Sequence, residues 1–286
     1  MPNITRALAL SLLLLSPLVG CSHFDVLNAT VPGWGYRQTK GIAYGEAARQ
    51  KLDVYRPLRQ KAGAPLIVFF YGGGWQQGNR RDYRFVGEAF TSYGYVTVIP
   101  DYRLYPAVTF PAFVNDGAQA VRWARDHAAQ LGADPQRIFL VGHSAGAHIA
   151  ALLTYDERYL QAAGVDRSAI VAAAGMGGPY DFRATGQYEA IFPQRDDPTA
   201  QVAYNPIRFV DGDEPPMLLA QGARDRIVEP GNALRLARRV REQGGAVRHL
   251  RFPRGTHADA VLSLAWSFRW LTPALREIDA FFKEPR

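Results

Sequence analysis

The sequence contains only one cysteine, Cys21, among its 286 residues. With one thiol the chain cannot form an internal disulfide, and a chain of this length can bury a core that needs neither disulfides nor metal. The motifs H-E-x-x-H and G-K-[ST] are absent, and no run of five like charges occurs. These absences argue against a metalloprotease, a phosphate-loop protein and a nucleic-acid-binding protein. We therefore expect no metal, no cofactor and no nucleic-acid partner.

The chain also lacks a hydrophobic run long enough to cross a bilayer. Residues 7–19 form an apolar stretch after Arg6, but a membrane-spanning helix needs about 20 apolar residues. The stretch ends in the sequence LVGC, which resembles the lipobox of bacterial lipoproteins and places Cys21 at the acylated position. We therefore predict a signal peptide over residues 1–20 and lipid attachment at Cys21. An ordinary secretory signal and an uncleaved membrane anchor are the alternatives.

The residue after Cys21 bears on the expected location. It is Ser22 and not Asp, which in similar lipoproteins of Gram-negative bacteria accompanies sorting to the outer membrane. We therefore expect an exported protein that is lipid-anchored in the cell envelope, in the outer membrane facing the periplasm. Residues 21–37 are interpreted as a tether, and residues 38–286 as the folded domain. The formal net charge of +7 favours anionic envelope surfaces, or reflects only a solvated arginine-rich surface.

The most informative motif lies in residues 137–151, RIFLVGHSAGAHIAA. Its apolar residues 138–141 predict a buried strand, the pentapeptide GHSAG follows, and a run of small residues predicts a helix. Strand, G-x-S-x-G and helix together are typical of a nucleophile elbow. There the two glycines let the backbone turn sharply, so that the serine side chain stands exposed. We therefore predict that Ser144 is a nucleophile at a helix N-terminus, where the helix dipole favours negative charge.

Predicted strands alternate with predicted helices along the rest of the chain. The strands are residues 39–44, 50–55, 64–70, 95–100, 138–141, 169–176, 217–221 and 247–252. This order predicts an α/β fold of the α/β-hydrolase kind, a mostly parallel, doubly wound sheet with antiparallel N-terminal strands. Residues 177–214 form a long irregular segment, which is typical of a lid-like insertion or binding loop.

A serine hydroxyl becomes a good nucleophile only when a base removes its proton and a third group orients that base. In this fold the order along the chain is serine, acid, histidine. His257 follows the last predicted strand and is our candidate base, whereas His249 lies within that strand. Asp225 lies just beyond the strand at 217–221 and is our candidate acid. The weaker candidates close no predicted strand in this way: Asp181, Asp211, Asp213 and Glu229.

Three glycines, at positions 72–74, follow the apolar strand at 64–70. Such a loop can turn its N–H groups towards a developing oxyanion. We predict an oxyanion hole formed by the N–H groups of Gly73, Gly74 and Ala145. A phosphate-binding loop is disfavoured because Gln77 stands where G-x-G-x-x-G needs its last glycine. Residues beside these motifs are predicted to line the substrate pocket: Tyr71, Trp75 and His143.

Six stretches carry a family resemblance in the family's own order: LDVYRP (52–57), YGGGW (71–75), DYRLYP (101–106), GHSAGAH (142–148) and the loops of Asp225 and His257. They resemble carboxylesterases related to hormone-sensitive lipase, including the kynurenine formamidase-like and isoprenylcysteine methylesterase-like branches. The resemblance implies the α/β-hydrolase fold, the Ser–Asp–His triad and the oxyanion hole named above. The sequence departs from the family at Tyr71, where the family usually has histidine.

We therefore expect a serine carboxylesterase that hydrolyses short-to-medium acyl esters through an acyl-enzyme on Ser144. Its partners are then a small-molecule ester and, through lipidated Cys21, the membrane. Short chains are expected because the segment before the first strands is too short for a helical cap. An arylformamidase or other amide hydrolase with the same triad is an alternative, as is a non-catalytic envelope binding protein. The sequence leaves the oligomeric state open.

Overall fold

The computed structural model describes residues 23–192 and 202–284, so the predicted signal peptide and Cys21 lie outside the described residues. The strands are β1 Tyr36–Ala43, β2 Lys51–Pro57, β3 Ala64–Phe70, β4 Val96–Pro100, β5 Ala133–His143, β6 Ile170–Met176, β7 Met217–Gly222 and β8 Val247–Phe252. They form one sheet in the order β1-β2-β4-β3-β5-β6-β7-β8. β2 pairs antiparallel with both β1 and β4, and the other neighbours pair parallel. The predicted mostly parallel sheet with antiparallel N-terminal strands is confirmed.

Helices fill the connections between the strands. The α-helices are α1 His23–Ala29, α2 Arg84–Ser92, α3 Ala112–Asp126, α4 Ala145–Tyr155, α5 Glu157–Ala162, α6 Gly231–Glu242, α7 Asp259–Leu262 and α8 Ala274–Phe282. Short 3-10 helices occupy Arg80–Tyr83, Arg167–Ala169, Gly186–Tyr188, Pro206–Phe209 and Trp266–Phe268. Within the described part of the chain, no helix combines the length and apolarity needed to cross a membrane.

The centre of the sheet is buried on both faces. Every residue of β3 from Ile67 to Phe70 is fully buried, and so is the stretch of β5 from Leu140 to Val141. Helix α4 is buried along its whole length between the sheet and its neighbours. Burial of each large apolar side chain contributes about 1.5–3 kcal/mol relative to its exposure. This core therefore fixes the carboxyl ends of the parallel strands, where the loops of an open α/β sheet gather.

The N-terminal segment differs from the predicted tether. Helix α1 lies within residues 21–37 and contacts the 3-10 helix Arg80–Tyr83. Leu27 and Val31 are buried, with 4% and 6% exposure, and the Asn28 side-chain amide donates to the carbonyl oxygens of two residues of that 3-10 helix. The prediction of a tether over residues 21–37 is therefore wrong from α1 onwards, because apolar side chains of this segment pack against the domain.

The connection between β6 and β7 is the long segment predicted as a lid-like insertion. Residues 193–201 within it lie outside the described residues. On either side of them, the described part packs inwards through large side chains that are buried: Tyr180, Ile191, Phe192 and Tyr204. Phe182, Phe192 and Tyr204 form an aromatic cluster with ring centroids 4.8–5.4 Å apart. This segment therefore covers part of the carboxyl end of the sheet.

Candidate active site

Ser144 lies in the tight turn between β5 and α4. It has φ 54° and ψ −122°, a backbone conformation that costs free energy in a residue with a side chain. The turn requires close backbone approach, since a Cβ atom on Gly146 would lie 2.1 Å from the carbonyl oxygen of Phe70. The Ser144 N–H donates to the carbonyl oxygen of Met176 in β6 at 2.9 Å, which fixes the turn to the neighbouring strand. The structure thus places Ser144 in the geometry predicted from the pentapeptide.

Ser144, His257 and Asp225 form a continuous chain of hydrogen bonds. His257 Nδ1 lies 2.8 Å from Asp225 Oδ2, and His257 Nε2 lies 2.9 Å from Ser144 Oγ. A carboxylate can only accept, so Nδ1 carries the proton and Nε2 is left to accept from the serine hydroxyl. This tautomer is the one that a base for Ser144 requires.

Several donors hold the Asp225 carboxylate in place. Its Oδ1 accepts from the backbone N–H groups of Ile227 and Val228, both at 2.9 Å, and its Oδ2 also accepts from Gln221 Nε2 at 2.9 Å. Burial acts to raise the pKa of Asp225, but the bonds from His257 and the backbone outweigh it and hold the pKa below its ordinary value. Asp225 is therefore ionised at neutral pH and can stabilise a charged His257.

The other acidic candidates lie elsewhere. Asp181 and Glu229 both bind Arg235, with distances of 2.7 Å and 3.1 Å to its guanidinium. Asp211 and Asp213 face each other in a turn, where the Asp213 N–H donates to the Asp211 carboxylate at 3.0 Å. In residues 23–192 and 202–284, no group of three or more His, Cys, Asp or Glu side chains is placed to hold a metal ion.

The glycine loop after β3 passes directly beside Ser144. A Cβ atom on Gly72 would lie 2.9 Å from Ser144 Cβ. The next two glycines have positive φ angles, 130° for Gly73 and 59° for Gly74, and a Cβ atom on Gly73 would lie 2.1 Å from the carbonyl oxygen of Gln77. Only glycine fits such positions without strain. The loop and the first residue of α4, Ala145, therefore flank Ser144, as an oxyanion hole would require.

Tyr71 does not line the substrate pocket. Its side chain is fully buried, and its hydroxyl donates to Asp101 Oδ1 at 2.7 Å, away from Ser144. The prediction that Tyr71 contacts substrate is therefore wrong, because the residue after β3 points into the core beside β4. The other two predicted pocket residues, Trp75 and His143, both lie in cavity walls that include Ser144.

Two cavities meet at Ser144. The first has a volume of about 410 Å³. Its wall contains aromatic rings, the start of α4 and a charged rim, which is Arg235 with its partners Asp181 and Glu229. The lining residues include Gly74, Trp75, Ala145, Phe182 and Tyr188. The second has a volume of about 640 Å³, and its wall combines the imidazole of His257 with several glutamine side chains; it includes Phe24, Gly73, Gln76, Gln77, Asp82, His143, Gln187 and His257. A substrate bound across Ser144 would therefore place its two halves in chemically different surroundings.

Three residues that hold or line this site were not predicted from the sequence. Gln221, the last residue but one of β7, donates to the Asp225 carboxylate, and its position just before the Asp225 loop was the available signal. Asn232 in α6 accepts from the N–H groups of Tyr180 and Asp181, both at 3.0 Å, and so holds the start of the insertion. Phe24 in α1 reaches the second cavity, which the interpretation of this segment as a tether excluded.

The family model for BD-FAE matches residues 52–240, which include Ser144 and Asp225. The chain belongs to the BD-FAE family. The match covers β2 to α6 and thus most of the sheet, the elbow and the acid loop. The relationship to carboxylesterases that was predicted from the sequence is confirmed, as is the α/β-hydrolase fold.

Two relatives and one solved structure are similar over most of the chain. "Probable isoprenylcysteine alpha-carbonyl methylesterase" of Arabidopsis thaliana is 27% identical over 78% of this chain and 51% of its own length. Esterase LipQ of Mycobacterium tuberculosis is 30% identical over 77% of this chain and 57% of its own. The propionate-bound esterase 2 of Thermogutta terrifontis is 27% identical with a TM-score of 0.70, over 88% of this chain and 97% of its own. The chain thus spans little more than half the length of these two curated relatives.

Proposed function

We propose that this protein is a serine carboxylesterase in which Ser144 attacks the ester carbonyl. The observation that carries the proposal is the unbroken chain from Asp225 through His257 to Ser144, at 2.8 Å and 2.9 Å, on a strained elbow. His257 takes the serine proton as Ser144 Oγ bonds to the carbonyl carbon, and Asp225 stabilises the imidazolium that results. The proton then passes to the leaving alcohol, and an acyl group remains on Ser144. Water activated by His257 releases the acid and restores the serine.

The negative charge on the carbonyl oxygen needs donors in this mechanism. The proposed donors are the N–H groups of Gly73, Gly74 and Ala145, which flank Ser144 on two sides. Removal of one such donor in a serine hydrolase typically costs about 100- to 1000-fold in kcat. The close passage of the glycine loop beside Ser144 Cβ supports this assignment.

The two cavities divide the substrate. His257 Nε2 must deliver its proton to the leaving oxygen, so the alcohol half belongs in the second cavity, whose wall includes His257 and Gln187. The acyl half then enters the first cavity, whose wall includes Trp75 and Tyr188. A long apolar tail would run into the charged rim around Arg235 and lose hydration of those groups. We therefore propose short-to-medium acyl chains.

Hydrolysis of a p-nitrophenyl ester series from acetate to palmitate, beside N-formylkynurenine, tests this function. We expect turnover of acetate and butyrate, slower turnover of palmitate at equal monomeric concentration, and none by Ser144→Ala. Faster turnover of N-formylkynurenine than of every ester would instead identify an arylformamidase. If wild type and Ser144→Ala are equally inactive on all these substrates and retain ligand binding, the protein is a binding protein on a hydrolase fold.

We further propose that Cys21 is lipidated and that the protein is anchored in the outer membrane facing the periplasm. The sequence LVGC after a short apolar stretch and Ser22 support this location. Phe24, which lies in the wall of the second cavity, is three positions after Cys21 in the chain. Three residues span at most about 11 Å, so the lipid would hold this cavity close to the membrane surface.

A further inference from the structure

The two ends of the glycine loop bind one oxygen atom of a single carboxylate. Tyr71, directly before the loop of residues 72–79, donates from its hydroxyl to Asp101 Oδ1 at 2.7 Å. Arg80, directly after the loop, donates from its backbone N–H to the same oxygen, also at 2.7 Å. The Arg80 guanidinium additionally pairs with Asp101 Oδ2 and, at 2.7 Å, with Asp53 Oδ1. Asp101, which directly follows β4, therefore holds both ends of the glycine loop against the end of that strand.

A second layer of contacts holds Tyr71 itself. Arg49 donates to the Tyr71 hydroxyl at 3.0 Å and also to the carbonyl oxygen of Gly78, near the far end of the loop. Tyr102 donates from its hydroxyl to the carbonyl oxygen of Tyr71 at 2.8 Å. The Tyr71 ring is stacked between those of Tyr83 and Tyr102, with centroids 5.2 Å and 4.9 Å away. Burial and the Asp101 charge raise the pKa of Tyr71 well above its ordinary value, so the phenol remains a donor.

The loop itself is strained and needs such support. Its residues Gly73, Gly74 and Trp75 all have positive φ angles, and Trp75 carries a side chain at φ 59°. Its inner hydrogen bonds are few: the N–H groups of Gln76 and Gln77 both donate to the carbonyl oxygen of Gly73 at 3.1 Å. A strained conformation persists only where the surroundings fix it.

Burying the charged groups beside the loop costs desolvation free energy, which a purely structural role does not require. Asp53, Asp101 and Arg80 are 0%, 2% and 6% exposed. Well-packed apolar residues in the place of a buried ion pair are often as stabilising or more so. What an apolar cluster lacks is direction, whereas a fully satisfied network of hydrogen bonds makes its surroundings rigid and specifies one arrangement. A loop that presents N–H groups to a developing oxyanion needs one fixed arrangement.

We propose that Tyr71 and Asp101 are positioning residues that set the glycine loop for oxyanion binding, an inference that rests on the proposed esterase function. Neither side chain touches substrate. Each acts through the backbone of residues 72–79, and Tyr71 takes the place of the histidine usual in related carboxylesterases. Loss of the phenol hydroxyl therefore weakens transition-state binding more than substrate binding.

The test compares Tyr71→Phe with wild type by kcat, by KM and by the inhibition constant of a trifluoromethyl ketone, which forms a tetrahedral adduct on the serine. We expect kcat to fall at least about tenfold, below the cost of losing a whole oxyanion donor, with KM within about twofold. The inhibition constant should rise by the same factor as kcat/KM falls. Unchanged kcat and unchanged inhibition in a folded Tyr71→Phe protein would overturn the proposal.

Tyr95→Phe is the matched control. Tyr95 is also buried and also donates to a carboxylate, Asp279 Oδ1 at 3.0 Å, but it precedes β4 at the amino end of that strand. The Tyr95→Phe substitution should lower the melting temperature without altering kcat. An equal loss of kcat in Tyr71→Phe and Tyr95→Phe would contradict the positioning role. If Tyr71→Phe does not fold, Tyr102→Phe decides, because it removes only the bond to the Tyr71 carbonyl; wild-type kcat there would overturn the proposal.

The esterase proposal and the positioning proposal can fail independently, and the experiments distinguish the two failures. If wild type hydrolyses no ester, the esterase proposal fails, and the loop is then assessed by the rate at which a fluorophosphonate labels Ser144. Slower labelling of Tyr71→Phe than of Tyr95→Phe would support the positioning role even then. Equal labelling rates would overturn it.

Discussion

His143 donates from Nε2 to the main-chain carbonyl oxygen of His257 at 3.1 Å. The residue before the proposed nucleophile thus holds the backbone of the proposed base, and the two rings lie 4.9 Å apart. Burial, together with the neighbouring His257, lowers the pKa of His143 to about 3. His143 is therefore neutral at physiological pH, and its single ring proton resides on Nε2, where the carbonyl oxygen of His257 accepts it.

This contact predicts a modest effect of substitution at His143. His143→Leu removes the donor and leaves the His257 carbonyl unpaired, which typically costs about 1 kcal/mol or about fivefold in rate. His143→Gln keeps an N–H group and should retain more activity. The measurement is kcat on p-nitrophenyl acetate with thermal melts of each variant. A folded His143→Leu protein with the kcat of wild type would show that the contact does not position His257.

Asp225→Asn should leave the fold near native and lower kcat by about four orders of magnitude, as tautomer loss does in other triads. An amide at this position can donate to His257 Nδ1, which would move the imidazole proton to Nε2 and block it as a base. Asp213→Asn is the matched control, since Asp213 lies in the turn with Asp211 and in neither cavity wall beside Ser144. Kinetics of both variants on one soluble ester decide the matter. Full activity in Asp225→Asn would transfer the acid role to another carboxylate.

His148 predicts an acid-sensitive part of the stability. It is fully buried, and its Nε2 donates to the carbonyl oxygen of Tyr204 at 2.7 Å; burial lowers its pKa to about 4. In the unfolded chain the histidine pKa is about 6.5. Between these values the unfolded state binds a proton that the folded state does not, so stability falls as the pH drops from about 6.5 to about 4.

Urea unfolding of wild type and His148→Gln at pH 7 and pH 5 measures this effect. Glutamine does not titrate, so the variant should lose less stability between the two pH values than wild type does. The comparison is made as a difference of differences, which cancels the titration of all other groups. An identical loss in both proteins would show that His148 does not titrate as its burial implies.

Cys21→Ser should release the protein from the membrane fraction while kcat on a soluble ester stays unchanged. A lipoprotein with two or more acyl chains is stably anchored, whereas one chain binds only marginally. The catalytic residues lie beyond α1, so loss of the lipid leaves them in place. Palmitate labelling and fractionation of both proteins test this. Unlabelled wild type in the soluble fraction would leave an ordinary exported esterase.

Local patterns in the sequence predicted much of the fold. Strand β3 begins and ends where its apolar run predicted, and the more polar β8 also has the predicted bounds, because turn-forming residues flank both segments. The elbow and the order serine, acid, histidine also follow from short motifs, and the three side chains meet because parallel strands end at one edge of the sheet. The spacing of Phe24, Leu27 and Val31, three and four residues apart, would have indicated the packed face of α1 and of the turn that follows it.

Other features depended on contacts that no local pattern encodes. Tyr71 and Asp101 are 30 residues apart in the chain and meet because β4 lies beside β3 in the sheet order. The sequence alone indicated only that Tyr71 adjoins the glycine loop, so a pocket role was the natural prediction. Whether a residue at a strand end points to the core or to the site depends on register, which long-range pairing sets.

Site-specific labelling shows which residue of the protein is the nucleophile. Wild type, Ser144→Ala and Ser168→Ala are each treated with a fluorophosphonate, and the adduct is located by peptide mass spectrometry. Ser168 is the matched serine control, because it is exposed in the 3-10 helix Arg167–Ala169 at the amino end of β6, away from the site. We expect one adduct per wild-type chain, on Ser144, an equal adduct in Ser168→Ala and none in Ser144→Ala. An adduct on another residue, or labelling of Ser144→Ala at the wild-type rate, would contradict the assignment of Ser144 as the nucleophile.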